Sequence, residues 1–272
     1  ELLEYARWLV EEIGFDGFRY DCVKGYGGWM VRAIQELRGI RNEKGYKPFG
    51  VGECWDSDRT IRDWLEETNA WSDNPVGAFD FPLRYRLSDL CHVYGYSLKN
   101  LTAGGTLLKD VPSQAVTFVE NHDVVRDDPI NTDKMLAYAF ILTHEGYPCV
   151  FWQDYYTWGL GQEDSKSGIA ALVRTHEDHA GGSTSILHVS DDLYIMQRNG
   201  WGSQRGLIFV LNNRGDWNGT SVQTQWKNTR FVSMAWRGSN DLAAPIEKRT
   251  QEDGWADFWA PPRGYAVYVP QS

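Results

Sequence analysis

Apolar residues in the first 180 positions recur either in short runs or at helical spacing. The short runs predict strands that are buried on both faces, and the helical spacing predicts a helix after each strand. This repeating order of strand and helix is typical of a parallel sheet covered by helices. The predicted strands are 17–21, 49–53, 76–81, 115–120 and 147–152.

Five strand–helix units predict part of a closed α/β barrel. A (β/α)8 TIM barrel has eight such units in about 250 residues, whereas the pattern here ends near residue 180. We therefore expect residues 1–180 to form strands 4–8 of a barrel. The first strands would come from a missing N-terminal segment of the same polypeptide.

From residue 181 onward, the pattern changes to short alternating strands separated by turn residues. Alternation of apolar and polar positions predicts strands with one buried face. Several such strands in succession predict an antiparallel all-β domain, a Greek key or sandwich, over residues 181–272. The predicted strands are 185–189, 193–198, 206–212, 222–226, 231–236 and 266–269.

Composition narrows the range of partners. The net charge is −10, from 37 acidic and 27 basic residues, which argues against nucleic acid as a ligand. No apolar run is long enough to span a bilayer, so no membrane partner is expected. The chain carries 13 Trp and 14 Tyr, whose rings can stack on sugars, although most of them are expected in the core.

The four cysteines do not form a recognisable motif. None of them belongs to a C-x-x-C pair, so neither a zinc knuckle nor a redox site is supported. Cys22 and Cys54 follow strand ends and are interpreted as small buried hydrophobic residues. A disulfide or a metal site is the alternative.

Three acids stand at the ends of predicted strands: Asp21, Glu53 and Asp123. Barrel enzymes keep their active sites at this end of the strands, and glycoside hydrolysis needs two carboxylates. Arg19 points to the same side as Asp21 and would favour its charged form, which suits a nucleophile. Apolar neighbours would favour protonated Glu53, which suits a general acid. We expect Asp21 and Glu53 to lie about 5 Å apart.

Each of these residues also has a structural interpretation. A single acid at a strand end is often a helix cap or an ion-pair partner. His122 alone could be a packed core histidine, but beside Asn121 and Asp123 it is interpreted as a ligand for sugar hydroxyls. Asp80 also ends a strand, and its flanking phenylalanines favour a structural role.

Residues 17–25, 51–55 and 118–123 resemble three signature regions of the α-amylase family, in the same order. The resemblance implies a retaining (β/α)8-barrel hydrolase of α-1,4-glucans, secreted and monomeric. Asp21 would be the nucleophile, Glu53 the acid/base and Asp123 the transition-state stabiliser. The implied substrate-binding residues are Arg19, Lys24, Tyr26, Trp55, Asn121, His122 and Trp152.

The sequence departs from the family pattern at two points. Many members carry a histidine where this chain has Gly25, which removes one side chain from the leaving-group side and resembles the plant and archaeal α-amylases. The family's earliest signature, which supplies an asparagine ligand for calcium, is absent. Calcium is therefore expected for the complete family protein, with the Gly25 backbone carbonyl as the candidate ligand in this chain. Because calcium takes six to eight oxygen ligands, this chain alone should bind it poorly.

Other functions remain open at this point. An exo-acting, maltooligosaccharide-forming enzyme or a transglycosylase of the same family would use the same acids. A non-catalytic sugar-binding barrel is possible, although all three acids are present. A metal-dependent hydrolase using Glu53, His122 and Asp123 would need clustered histidines, and the six histidines are scattered along the chain.

Overall fold

The computed structural model describes residues 1–37, 39–41, 45–239 and 244–271. Contacts between residues divide the chain into two compact units. The first unit is Glu1–Leu83 with Gly104–Thr117, and the second is Arg84–Ala103 with Phe118–Ser272. Of the helices in the described part of the chain, none combines the length and apolarity that crossing a lipid bilayer requires.

The first unit is built on parallel strands. Strands β1 to β4 lie side by side in chain order, with Gly17 opposite Phe49, Val51 opposite Gly77, and Ala78 opposite Ala115. The strands are β1 (Gly17–Tyr20), β2 (Phe49–Gly52), β3 (Gly77–Phe79) and β4 (Ala115–Phe118), and the helices are α1 (Leu2–Glu11), α2 (Gly28–Gln35), α3 (Asp58–Asn69), the start of α4 (Phe81–His92) and α5 (Leu107–Asp110).

Close packing of α3 on β2 depends on a glycine. A Cβ atom on Gly52 would lie 2.2 Å from the ring of Trp64, which is buried. The ring therefore fills the space that a side chain at position 52 would need. This contact fixes the distance between α3 and β2, the strand that directly precedes Glu53.

We expect Gly52→Ala in the full-length polypeptide to reduce the free energy of unfolding by about 1–3 kcal/mol, because overpacking forces a buried ring to move. Urea unfolding would measure the change. Gly215→Ala is the matched control, since a Cβ atom at position 215 would meet no heavy atom within 4 Å. Equal midpoints for Gly52→Ala and the wild type would contradict this account of the contact.

The second unit begins with helical structure. Strand β5 (Tyr147–Cys149) is short, and helix α7 (Lys134–Thr143) follows a short helix α6 (Val124–Asp127). Every residue of α7 is buried, which is typical of a helix covered on all sides. Helix α8 (Ile169–His179) buries its apolar face through Ile169 and Leu172.

Two antiparallel sheets complete the second unit. The larger has the strand order β11-β10-β13-β8-β7-β6, and the smaller pairs β12 with β9. Their facing side chains share one core, which includes Ile208, Phe231 and Phe258. The strands are β6 (Thr184–Val189), β7 (Leu193–Arg198), β8 (Leu207–Asn212), β9 (Asn218–Gln223), β10 (Arg230–Arg237), β11 (Lys248–Arg249), β12 (Trp255–Ala260) and β13 (Gly264–Pro270).

The predicted fold class is confirmed: part of a (β/α)8 barrel followed by an antiparallel β domain. The strand predicted at 222–226 was wrong, because the structure places β9 at Asn218–Gln223. Strands β11 and β12 were not predicted. The proposed division at residue 180 stays a prediction, while the antiparallel strands begin at Thr184.

Candidate active site

The register of β1 and β2 brings two predicted acids together. Tyr20 lies opposite Gly52, so the next residues, Asp21 and Glu53, leave the sheet side by side. The Glu53 N–H donates to the Tyr20 carbonyl at 2.8 Å, and the Val23 N–H donates to the Glu53 carbonyl at 3.2 Å. Backbone pairing therefore continues past the strands and holds both acids at the same edge.

Arg19 links the two carboxylates. Its Nη1 lies 2.5 Å from Asp21 Oδ1, and its Nη2 lies 3.8 Å from Glu53 Oε1. The Asp21 side chain is 76% exposed, whereas Glu53 is buried and its Oε2 accepts the Cys22 N–H at 2.9 Å. One carboxylate is thus open to solvent, and the other is fixed in orientation.

The residue between these segments has an unusual conformation. Cys22 is exposed, contrary to the buried position expected from the sequence, and its φ of 45° lies in the left-handed region. This turn directs the Cys22 N–H toward Glu53 instead of continuing the strand. Cys54 is buried as expected, and burial raises the pKa of its thiol to about 11.

Lys24, Tyr26 and Trp55 lie beside the two acids. The Lys24 amine donates to the Trp55 carbonyl at 2.7 Å and to Asp56 Oδ2 at 3.1 Å. The Tyr26 hydroxyl donates to the Asp21 carbonyl at 3.2 Å. The Trp55 ring stacks on Phe81 with centroids 5.2 Å apart. The turn after β1 and the segment after β2 are therefore joined next to Asp21.

Asp56 is a member of this group that the sequence did not reveal. Its carboxylate accepts the Ser57 N–H and contacts Lys24, and these bonds lower the pKa of Asp56 to about 2. The hydrogen bond to Asp56 in turn raises the pKa of Lys24. In the sequence, only the position of Asp56 just after Glu53 and Trp55 could have suggested that it belongs to this group.

Few candidate calcium ligands lie among the residues that the structure describes. In the described ranges, no group of three or more His, Cys, Asp or Glu side chains is placed to hold a metal ion. Gly25 contributes one backbone carbonyl, whereas calcium takes six to eight oxygens. The calcium site therefore stays a prediction, and no chemical step is assigned to a metal.

Asp80 has the structural role that the sequence favoured. It is fully buried, and its carboxylate accepts the Leu83 N–H at 3.1 Å and the Leu108 N–H at 2.7 Å. Burial raises the pKa of Asp80 to about 6. This acid therefore joins the starts of α4 and α5.

The second unit carries the third predicted acid, on a turn that begins with Asn121. Asn121 Oδ1 accepts the Asp123 N–H at 2.9 Å and the Val124 N–H at 2.8 Å, so this amide oxygen caps α6. His122 Nε2 lies 3.2 Å from Asp123 Oδ2, and Arg126 Nη2 lies 3.3 Å from Asp123 Oδ1. The meeting of Asp123 with the other two acids on one sugar stays a prediction.

Exposed aromatic rings follow β5 in the same unit. The side chains of Trp152 and Tyr156 are 67% and 60% exposed, with ring centroids 4.1 Å apart. The ring centroids of Tyr155 and Tyr156 are 4.7 Å apart, and both residues belong to the π-helical segment Gln153–Thr157. Exposed rings of this kind can stack on sugar faces, which is the role predicted for Trp152.

The sequence of the β domain matches a family model. Residues 207–269 match the model described as "Alpha-amylase C-terminal". The chain is 30% identical over 290 residues to an α-amylase of Geobacillus stearothermophilus, covering 100% of this chain and 49% of that protein. It is 37% identical over 193 residues to a glucan 1,4-α-maltohexaosidase of Bacillus sp. (strain 707), covering 67% of this chain and 36% of the relative.

A solved structure shows the same fold. The α-amylase of Geobacillus thermoleovorans in complex with acarbose aligns with a TM-score of 0.70 and 18% identity, covering 100% of this chain and 63% of that one. A barrel with paired carboxylates at adjacent strand ends is typical of glycoside hydrolases. The sequence relatives show that the chain belongs to the α-amylase family. The chain spans about half the length of the curated relatives, or less.

Proposed function

We propose that the full-length polypeptide containing this chain is an α-amylase-type retaining hydrolase. It would cleave internal α-1,4-glucosidic bonds in starch and maltooligosaccharides. The observation that carries the proposal is the pair of carboxylates, Asp21 and Glu53, at the ends of neighbouring strands and in contact with Arg19. The relatives named α-amylase and maltohexaosidase support this substrate class.

In the first step, a carboxylate oxygen of Asp21 attacks the anomeric carbon while Glu53 gives its proton to the glycosidic oxygen. The bond to the leaving sugar breaks and a glycosyl ester of Asp21 forms. The exposure of Asp21 leaves it accessible to a sugar, and the fixed orientation of Glu53 suits directional proton transfer.

In the second step, Glu53 takes a proton from water, and the water oxygen attacks the same carbon. The ester bond to Asp21 breaks, and the product keeps the starting configuration because two inversions have occurred. Asp123 would hydrogen-bond sugar hydroxyls and strengthen this contact in the transition state. Arg19, Lys24, Tyr26, Trp55, Asn121, His122 and Trp152 would bind the glucan.

Calcium would have a structural role in the full-length polypeptide. We infer that most of its ligands come from outside the residues that the structure describes, with the Gly25 carbonyl as one contributor. No step above uses the metal. Calcium removal should therefore lower the thermal stability of the full-length polypeptide, whereas the type of bond that is cleaved should stay the same.

The proposal is tested by product analysis with the full-length polypeptide. Incubation with amylose should lower viscosity before much reducing sugar appears, which indicates internal cleavage. Proton NMR of the first products from maltoheptaose should show the α-anomer before mutarotation. Initial β-anomer would contradict retention, and products longer than maltoheptaose would favour the transglycosylase alternative.

A further inference from the structure

A cluster of buried charged and polar side chains adjoins the Asn121–Asp123 turn in the second unit. We define it as Arg84, Glu120, Lys134, Tyr138 and Asp154. The side chains of Arg84, Glu120 and Asp154 are 0% exposed, and that of Lys134 is 7% exposed. Burying an ion costs several kcal/mol unless its partners are well placed. The side chains of this buried cluster therefore need well-placed partners, and these contacts hold the chain segments that contribute them in fixed positions.

One side of the buried cluster holds the turn that carries Asp123. Glu120 immediately precedes the turn, and its Oε1 accepts the Ile130 N–H at 2.6 Å, beyond the other end of the turn. Arg84 Nη2 lies 3.5 Å from Glu120 Oε2, and Arg84 also contacts both the carboxylate and the carbonyl of Asp128. The segment from 120 to 130 is thus bound at three points.

The other side of the buried cluster holds the aromatic segment. The Tyr138 hydroxyl donates to Asp154 Oδ2 at 2.5 Å, and the Phe151 N–H donates to the Tyr138 oxygen at 3.3 Å. Asp154 lies in the π-helical segment Gln153–Thr157, which contains the exposed ring of Tyr156 and directly follows that of Trp152. Fixing Asp154 therefore fixes the backbone that carries these rings.

Lys134 joins the two sides. Its Nζ lies 2.7 Å from Asp154 Oδ1 and 3.2 Å from Glu120 Oε1. The same Nζ lies 4.1 Å from the centroid of the Trp158 ring, within the range of a cation–π contact. Without this cation, two buried carboxylates would face each other across the cluster, which favours their separation or protonation.

We propose that Lys134 is a positioning residue for glucan binding. It fixes the Asn121–Asp123 turn relative to the aromatic segment 152–158, so that one glucan chain can contact both. This inference rests on the proposed function, because it assumes that both segments touch the glucan. Lys134 itself is buried and need not contact the sugar.

The test compares Lys134→Met with Arg84→Met in the full-length polypeptide. Both variants remove one buried cation beside Glu120, but Arg84 does not contact Asp154 in the described residues. We expect Lys134→Met to raise KM for maltoheptaose by about tenfold, which corresponds to about 1.4 kcal/mol of binding. A short chromogenic maltoside, which need not reach the aromatic segment, should show a much smaller increase. Arg84→Met should affect the two substrates equally.

Two further variants keep the test decisive if Lys134→Met folds poorly. Lys134→Arg keeps the charge and should bring KM for maltoheptaose most of the way back to the wild-type value. Tyr138→Phe removes one hydrogen bond to Asp154 and should raise KM for maltoheptaose by about threefold, which corresponds to about 0.7 kcal/mol of binding. Quenching of tryptophan fluorescence by maltoheptaose should shift to higher ligand concentration in parallel.

The outcomes separate this inference from the proposed function. If the wild type hydrolyses glucans and folded Lys134→Met or Tyr138→Phe keeps the wild-type KM for both substrates, the positioning role is rejected. A loss of thermal stability without a change in KM would also reject it, because that is the behaviour of a purely structural ion pair. If the wild type neither binds nor hydrolyses maltoheptaose, the proposed function itself fails.

Discussion

Replacing Asp21 with asparagine in the full-length polypeptide should lower kcat for maltoheptaose by about four orders of magnitude or more. The amide has no negative charge to stabilise a positively charged sugar and cannot form the glycosyl ester. The change is nearly isosteric, and the exposed position of residue 21 argues against unfolding as the cause. Steady-state kinetics with stopped assays for reducing sugar would measure it.

A second variant distinguishes the roles of the two acids. Glu53→Gln removes the proton donor, so its kcat/KM, which reports formation of the glycosyl ester, should fall far less on a substrate whose leaving group needs no proton, such as a dinitrophenyl maltoside. Asp21→Asn should lose activity on both substrates alike. This difference follows from the separate roles of the two side chains, Asp21 as nucleophile and Glu53 as proton donor.

Asp63→Asn is the matched control for these variants. Asp63 is an exposed acid on α3, with a side chain that is 71% exposed and 3.9 Å from Arg59. Its removal should leave turnover unchanged, because surface ion pairs of this kind contribute little. Turnover by Asp21→Asn within tenfold of the wild type would reject Asp21 as the nucleophile.

The parallel strands could be predicted because their neighbours bury them on both faces. In β4, Ala115, Val116 and Phe118 are all buried, and such a strand shows itself as a continuous apolar run. Strand β9 shows no such signal, because only Val222 in it is buried and the other residues are small or polar. Its position is set by pairing with β12, where Ala256 lies opposite Val222.

The two acids of the first unit could be located from the sequence because each follows a short apolar run. Their contact with Arg19 could be expected as well, since residues 19 and 21 share one side of the strand. The Cys22 N–H bond to Glu53 could not be predicted, because it depends on a left-handed backbone at a residue that is not glycine.

The contacts of the second unit were harder to foresee. Asn121 was predicted to bind substrate, while the structure shows its Oδ1 capping α6; its contact with glucan stays a prediction. Lys134 gave no signal, because a lysine at the start of an apolar helix usually extends into solvent. Its partners Glu120 and Asp154 lie 14 and 20 residues away, and only tertiary packing brings them to it.

His144 lies in the core of the second unit and is suited only to the neutral form of its ring. Its Nδ1 lies 2.7 Å from the Phe140 carbonyl, which can only accept a hydrogen bond, so this nitrogen carries the proton. The other nitrogen, Nε2, then accepts from the Tyr194 hydroxyl at 2.8 Å. The ring stacks on Phe140 with centroids 3.8 Å apart. Burial lowers the pKa of His144 to about 3.

This depressed pKa predicts a specific loss of stability in acid. The unfolded chain protonates this histidine near pH 6.5, whereas the folded state resists protonation until about pH 3. The unfolded state therefore binds more protons between these values, and the free energy of unfolding must fall as the pH falls. The contribution of His144 should decline by about 3 kcal/mol between pH 7 and pH 4, at 1.36 kcal/mol per pKa unit.

The measurement compares the full-length wild type with His144→Phe by urea unfolding at several pH values. All other titratable groups are the same in both proteins. The difference between their free energies of unfolding therefore reports the titration of His144 alone. His144→Phe should be the less stable protein at pH 7, and its disadvantage should shrink or reverse by pH 4. Tyr194→Phe keeps the buried histidine, so it should lose stability at pH 7 yet retain the wild-type slope. A difference between wild type and His144→Phe that stays constant from pH 7 to pH 4 would show that burial does not hold this ring neutral.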